Sequence, residues 1–67
     1  MVIELREDFI KLGQALKAAG LVDNGAEAKF EILEGNVLVN GTKELQRGKK
    51  LYSGDKIEFN GEIVEIK

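Results

Sequence analysis

The apolar positions of this chain follow a helical period in its first half and a strand period in its second. Leu12, Ala15, Leu16 and Ala19 fall on one face of a helix within Phe9 to Ala19, flanked by Lys11 and Lys17. The pattern admits a start at Phe9 or at Leu12. Gly20 ends the helix, since glycine readily takes the left-handed conformation of a C-cap. A second helix follows Asn24, which forms a capping-box pattern with Glu27 three residues later. Ala28, Ile32 and Leu33 supply its buried side, and Gly35 closes it. Glu27, Glu31 and Glu34 make an acidic stripe expected to face solvent. Lys29 projects roughly opposite that stripe, between Ile32 and Leu33, so its ammonium must snorkel outward past apolar neighbours.

Beyond Gly35 the period becomes two. Val37 and Val39 alternate with Asn36 and Leu38, and Asn40-Gly41 marks a tight hairpin returning through Thr42 to Glu44. Leu45 to Tyr52 reads as a basic loop and Ser53-Gly54-Asp55 as a turn. Lys56 to Phe59, Asn60-Gly61 and Glu62 to Ile66 predict a second hairpin. The β-prone opening, Val2-Ile3-Glu4-Leu5, predicts a short edge strand broken at Asp8. The expected fold is therefore α+β, with two short helices packed on a small, mostly antiparallel sheet. A chain of 67 residues leaves room for one domain, residues 1–67, expected to be a monomer.

Composition removes much chemistry. There is no Cys, His, Trp or Pro. Disulfides, thiolate or imidazole metal sites, cysteine nucleophiles and histidine bases are thereby excluded. No convergent set of acid, base and nucleophile is visible, so neither an enzyme activity, a cofactor nor a small-molecule substrate is expected. A domain this small buries only about 60% of its unfolded surface, so its 43% of hydrophobic residues must form the core unaided. No apolar run approaches the roughly 18 residues of a membrane span. With no leader pattern at the N-terminus either, a cytoplasmic protein without membrane contact is expected.

The formal net charge is -2, yet its distribution is uneven. Residues 43–50 hold Lys43, Arg47, Lys49 and Lys50 against the single acid Glu44, while the rest of the chain is net acidic. Such an asymmetry matters more to a partner than the total.

Several of these positions, taken in order, resemble the S4 RNA-binding domain, also called the αL RNA-binding motif. Lys11-Leu12 stands where that family usually has Arg-Leu. Leu16 and Ala19-Gly20-Leu21 match its first helix and turn, and Ala28, Ile32 and Gly35 its second helix. Val37, Val39, Asn40 and Gly41 match its V-x-V-N-G hairpin, and Gly54-Asp55 with Ile57 its G-D-x-I strand. Leu12-Gly13-Gln14 and Arg47-Gly48-Lys49-Lys50-Leu51-Tyr52 resemble the short, stand-alone YaaA-like members more closely. Family members often carry Ser-Arg at the start of the second helix, where this chain has Asn24-Gly25. The resemblance implies non-catalytic binding of structured RNA, with ribosomal RNA first and tRNA second.

Such binding requires cations placed to neutralise phosphates. Lys11 and Lys29 could meet between the helices, and Lys43, Arg47, Lys49 and Lys50 would extend the patch. The helix start at Asn24-Gly25 offers backbone N–H donors, with Gly25 allowing close approach; Asn40 adds a polar group at the hairpin tip. Each has a plainer reading. Lys11 and Lys17 can be flanking helix charges, the loop cations a solvated surface, and Asn40 turn chemistry. Phe30 and Tyr52 can stack on bases or lie in the core. Two other functions compete. A β-grasp sulfur or ubiquitin-like carrier shares the V-N-G and G-D-x-I pattern, but its chemistry needs a C-terminal Gly-Gly and this sequence ends Glu65-Ile66-Lys67. A small protein-binding adaptor would use the acidic stripe or a strand edge.

Overall fold

In the computed structural model, which describes residues 1–67, nine short elements run as two strands, two helices and five strands. Strand β1 (Val2–Ile3) is followed by β2 (Ile10–Lys11), α1 (Leu12–Ala18) and α2 (Gly25–Leu33). Five strands complete the chain: β3 (Val37–Val39), β4 (Thr42–Lys43), β5 (Lys50–Leu51), β6 (Lys56–Phe59) and β7 (Glu62–Ile66). The main sheet has the order β1-β7-β6-β3-β4, antiparallel throughout except for the parallel β1–β7 pair. A separate ribbon pairs β2 with β5.

Strand alternation explains why the helices lie on one face only. Val37, Val39, Ile57, Phe59, Val64 and Ile66 point inward and are buried, while Leu38, Lys56, Glu58, Ile63 and Glu65 form the opposite face. Leu12, Ala15 and Leu16 of α1 and Ala28 and Ile32 of α2 cover the inner face. All 13 buried residues are apolar, and no buried polar side-chain atom lacks a partner. Burying each large member stabilises the fold by roughly 1.5–3 kcal/mol. Both Asn-Gly turns carry the positive φ that a type I′ hairpin demands, at 52° and 84° for Asn40-Gly41 and 56° and 82° for Asn60-Gly61. The fold class is the expected one.

Of the two starts the sequence admits for helix α1, the structure takes Leu12, because β5 captures Ile10 and Lys11 in an extended ladder. Three local expectations change. The stretch Leu45 to Tyr52 is not all loop. Lys50–Leu51 is a strand, and the Leu51 side chain is fully buried opposite Ile10. Leu33 lies 58% exposed, since only the Ala28–Ile32 line of α2 meets the sheet. The edge strand ends at Ile3, although the Leu5 N–H still donates to the Lys67 carbonyl at 2.7 Å.

Candidate nucleic-acid interface

The segment 43–50 runs along α2 and then closes on α1, and this path arranges the cations. It begins with Lys43, whose side chain lies within about 3.6–3.8 Å of the Cβ position at Gly35, just beyond the C-terminal end of α2. A cation there complements the helix dipole. Leu45 and Arg47 next line a small hollow of 80 Å³ with Lys29, Ile32 and Leu33. The Lys29 stem thus has apolar neighbours while its residue stays exposed, as snorkelling requires. At the far end the Arg47 carbonyl accepts from the Gly13 N–H at 3.0 Å, and the Lys49 carbonyl from the Leu12 N–H at 2.9 Å. Two otherwise unpaired amides of the first turn of α1 therefore anchor the basic segment.

Between the helices lies an open groove of 240 Å³. It is lined by Lys11, Gln14 and Lys17 of and beside α1, Ala28 of α2, Arg47, and three glycines, Gly13, Gly25 and Gly48. Three of these side chains are cationic and none is acidic, in a chain whose net charge is negative. The glycines leave backbone exposed where side chains would otherwise fill the groove. Arg47 lines both this groove and the Lys29 hollow, so it joins the two basic surfaces. The acidic stripe stays clear of them: Glu27 and Glu31 occupy the flank of α2 away from Lys29 and Leu33. Glu31 accepts there from the Asn36 amide at 2.8 Å.

Lys11 and Lys29, expected to meet, instead line adjacent hollows bridged by Arg47. Lys17 shares the groove with Lys11. It stands one helical turn beyond Gly13, and that i, i+4 spacing was the available signal for it. Lys50 lies directly across the β2–β5 ladder from Lys11. Two cations therefore stand side by side on one face of the ribbon, an arrangement that like charges directly opposite one another do not favour by themselves. Gly25 lines the groove, but the Asn24 side chain is occupied in capping, its Oδ1 accepting from the Glu27 N–H at 2.8 Å. The capping box is displaced by one residue, because the Glu27 carboxylate accepts from the Asp23 N–H rather than that of Asn24.

Asn40 lies outside the groove and holds the sheet together. Its amide nitrogen donates to Asp55 Oδ1 at 3.0 Å and its Oδ1 accepts from the Lys56 N–H at 2.9 Å. Asp55 Oδ2 in turn accepts from the Tyr52 N–H at 2.8 Å. The Tyr52 amide first and the Asn40 side chain second hold the Asp55 carboxyl below its ordinary pKa, outweighing an opposing effect of burial, and the charge of Lys49 adds the smallest lowering contribution. Phe30 and Tyr52 are 60% and 49% exposed, so neither is a core aromatic.

The arrangement has close relatives. The chain is 42% identical over 59 residues, 88% of its own length and 83% of the relative's, to a Bacillus subtilis (strain 168) protein named "Probable ribosome maturation protein RlbA". It is 35% identical over 61 residues, 91% of this chain and 87% of the relative, to YbcJ of Escherichia coli (strain K12). The solution structure of Escherichia coli YbcJ, described as revealing an αL motif involved in RNA-binding, matches with a TM-score of 0.73 at 32% identity. That match covers 97% of this chain and 84% of the other. Residues 3–67 match the family model of the S4 domain, and the chain belongs to the S4 domain family, related to proteins of the YbcJ and RlbA type.

Proposed function

We propose that this protein is a non-catalytic binder of structured RNA, ribosomal RNA foremost and tRNA second, and that the groove between its helices receives the phosphate backbone. The observation that carries this reading is the acid-free groove of Lys11, Lys17 and Arg47 in a net acidic chain. The relatives support it: one is named for ribosome maturation and another carries an αL motif involved in RNA-binding. The same relatives support a cytoplasmic, ribosome-associated setting. A monomer of the short YaaA-like kind is the finer form of the reading.

Lys11, Lys17, Lys29, Arg47 and Lys50 would each neutralise a phosphate and release counterions. Five such contacts make affinity fall roughly 500-fold between about 50 and 200 mM salt. Gly13, Gly25 and Gly48 let the RNA backbone approach, and the first-turn amides of α2 at Gly25 and Ala26 donate to a phosphate oxygen. Lys43 and Lys49 contribute at longer range, while Asn24 and Asn40 hold the elements in place. Recognition is by shape and backbone, as a double-stranded RNA surface allows.

The test is a titration of a fluorescent ribosomal RNA stem-loop at several salt concentrations. Arg47→Glu and Lys11→Glu should each lower affinity tenfold or more, and Arg47→Ala should reduce the salt slope by about one contact. Lys56→Gln, on the opposite sheet face, should leave both unchanged. Salt-independent binding, or binding indifferent to Arg47→Glu, would refute the proposal.

A further inference from the structure

The β2–β5 ribbon concentrates two kinds of side chain on one face. Lys11 pairs with Lys50 and Ile10 with Leu51, so the next pair outward is Phe9 with Tyr52. Strand alternation sends Ile10 and Leu51 inward, and Leu51 is fully buried. Lys11, Lys50, Phe9 and Tyr52 therefore share the outward face. The rings of Phe9 and Tyr52 lie 6.1 Å apart at 53°, and the Lys50 ammonium sits 4.7 Å over the Phe9 ring. Phe9 is half-buried under that cation, whereas Tyr52 is 49% exposed. The Asp55 carboxylate, itself held by Asn40, fixes the Tyr52 backbone at the rim. Lys11 belongs both to this face and to the groove, so the aromatic pair continues the basic surface.

We infer that Tyr52, supported by Phe9 and Lys50, is a stacking platform for one unpaired RNA base next to the helical segment whose phosphates occupy the groove. The inference rests on the RNA-binding reading and names the feature of the RNA that the site selects, a bulged or looped-out nucleotide flanking a duplex. An exposed aromatic beside fixed cations suits this ligand, since every base has a π face and its phosphate carries the complementary charge. An orphan exposed tyrosine far from cations would not. Tyr52 selects for unpairedness rather than for sequence, because nothing on this face aims a donor and acceptor pair at a base edge.

Three synthetic hairpins test it: one with a single bulged adenosine, one with an abasic site at the bulge, and one fully paired. The bulged adenosine should bind roughly 5- to 150-fold more tightly than the abasic hairpin. Tyr52→Leu should abolish that difference while leaving the affinity for the paired hairpin and the salt slope unchanged. Tyr52→Phe should retain it. Independently of any variant, 2-aminopurine placed at the bulge should be quenched on binding to the unmodified protein. Equal binding of the bulged and abasic hairpins, or an unquenched 2-aminopurine, overturns the platform and leaves the groove standing. Failure of all three hairpins to bind overturns the platform together with the RNA-binding reading.

Discussion

Replacing Asp55 with asparagine probes the clamp that ties the Asn40-Gly41 hairpin to Tyr52 and to the start of β6. The carboxylate accepts two hydrogen bonds, from the Tyr52 N–H at 2.8 Å and from the Asn40 amide at 3.0 Å. In Asp55→Asn one oxygen becomes an NH2 group, which must face a donor, so one charge-assisted bond is lost. Such bonds are worth about 1.5–3 kcal/mol. Tyr52 and Asn40 are exposed, so water replaces part of the loss. A net destabilisation of about 1–1.5 kcal/mol remains, or roughly 5–10 °C in Tm for a domain of this size. Asn40→Gly preserves the positive φ of the hairpin and removes only the side chain. Combined with Asp55→Asn it should show a coupling of about 0.5–1 kcal/mol.

The pH dependence gives a second handle on the same clamp. The native state holds the Asp55 carboxyl below its ordinary pKa, chiefly through the Tyr52 amide. A depressed carboxyl stabilises the fold fully above its unfolded value of about 3.9 and loses that contribution as pH falls through the folded value. Urea unfolding followed by far-ultraviolet circular dichroism should thus show a constant gap between wild type and Asp55→Asn from about pH 5 to 8. The gap should close below about pH 4. Taking the difference between the two proteins cancels the titration of the other carboxylates. Identical stability at neutral pH, or a gap that persists unchanged into strong acid, would refute the assigned role of the clamp.

Leu51→Ala should cost about 2–5 kcal/mol, because the side chain is fully buried and its loss leaves a cavity under the β2–β5 ribbon; a thermal melt reads this directly. Asn24→Ala should cost about 1 kcal/mol through loss of the α2 cap, and RNA affinity measured well below the melting temperature should change little. Gly13→Asp should separate stability from binding. An acid in the first turn of α1 in place of glycine should raise stability by about 0.5–1 kcal/mol. The same carboxylate lines the groove beside Arg47 and should weaken RNA binding several-fold, read by anisotropy.

Local chemistry accounts for what was legible in the chain. Asn40-Gly41 and Asn60-Gly61 placed both hairpins because few dipeptides adopt positive φ at two successive residues. The alternation of Lys56 to Phe59 and of Glu62 to Ile66 set the inward face of β6 and β7 residue by residue. Ribbon β2–β5 left no such trace. Its two strands are two residues long and some 40 positions apart, too short for a period and too distant for a turn signal. The basic loop was visible as composition, but its strand and the burial of Leu51 were not.

The sequence by itself determined the fold class, the two helices, the hairpins, the absence of thiol and imidazole chemistry, and the segment where positive charge concentrates. These follow from backbone preference and side-chain period, which act over a few residues. The tertiary structure alone decided which cations stand together. Lys17 joins Lys11 and Arg47 while Lys29 lies in the next hollow, and Lys50 brings Phe9 and Tyr52 onto the Lys11 face. That grouping depends on the hydrogen bonds from Leu12 and Gly13 to the carbonyls of Lys49 and Arg47, a long-range closure that no local pattern encodes.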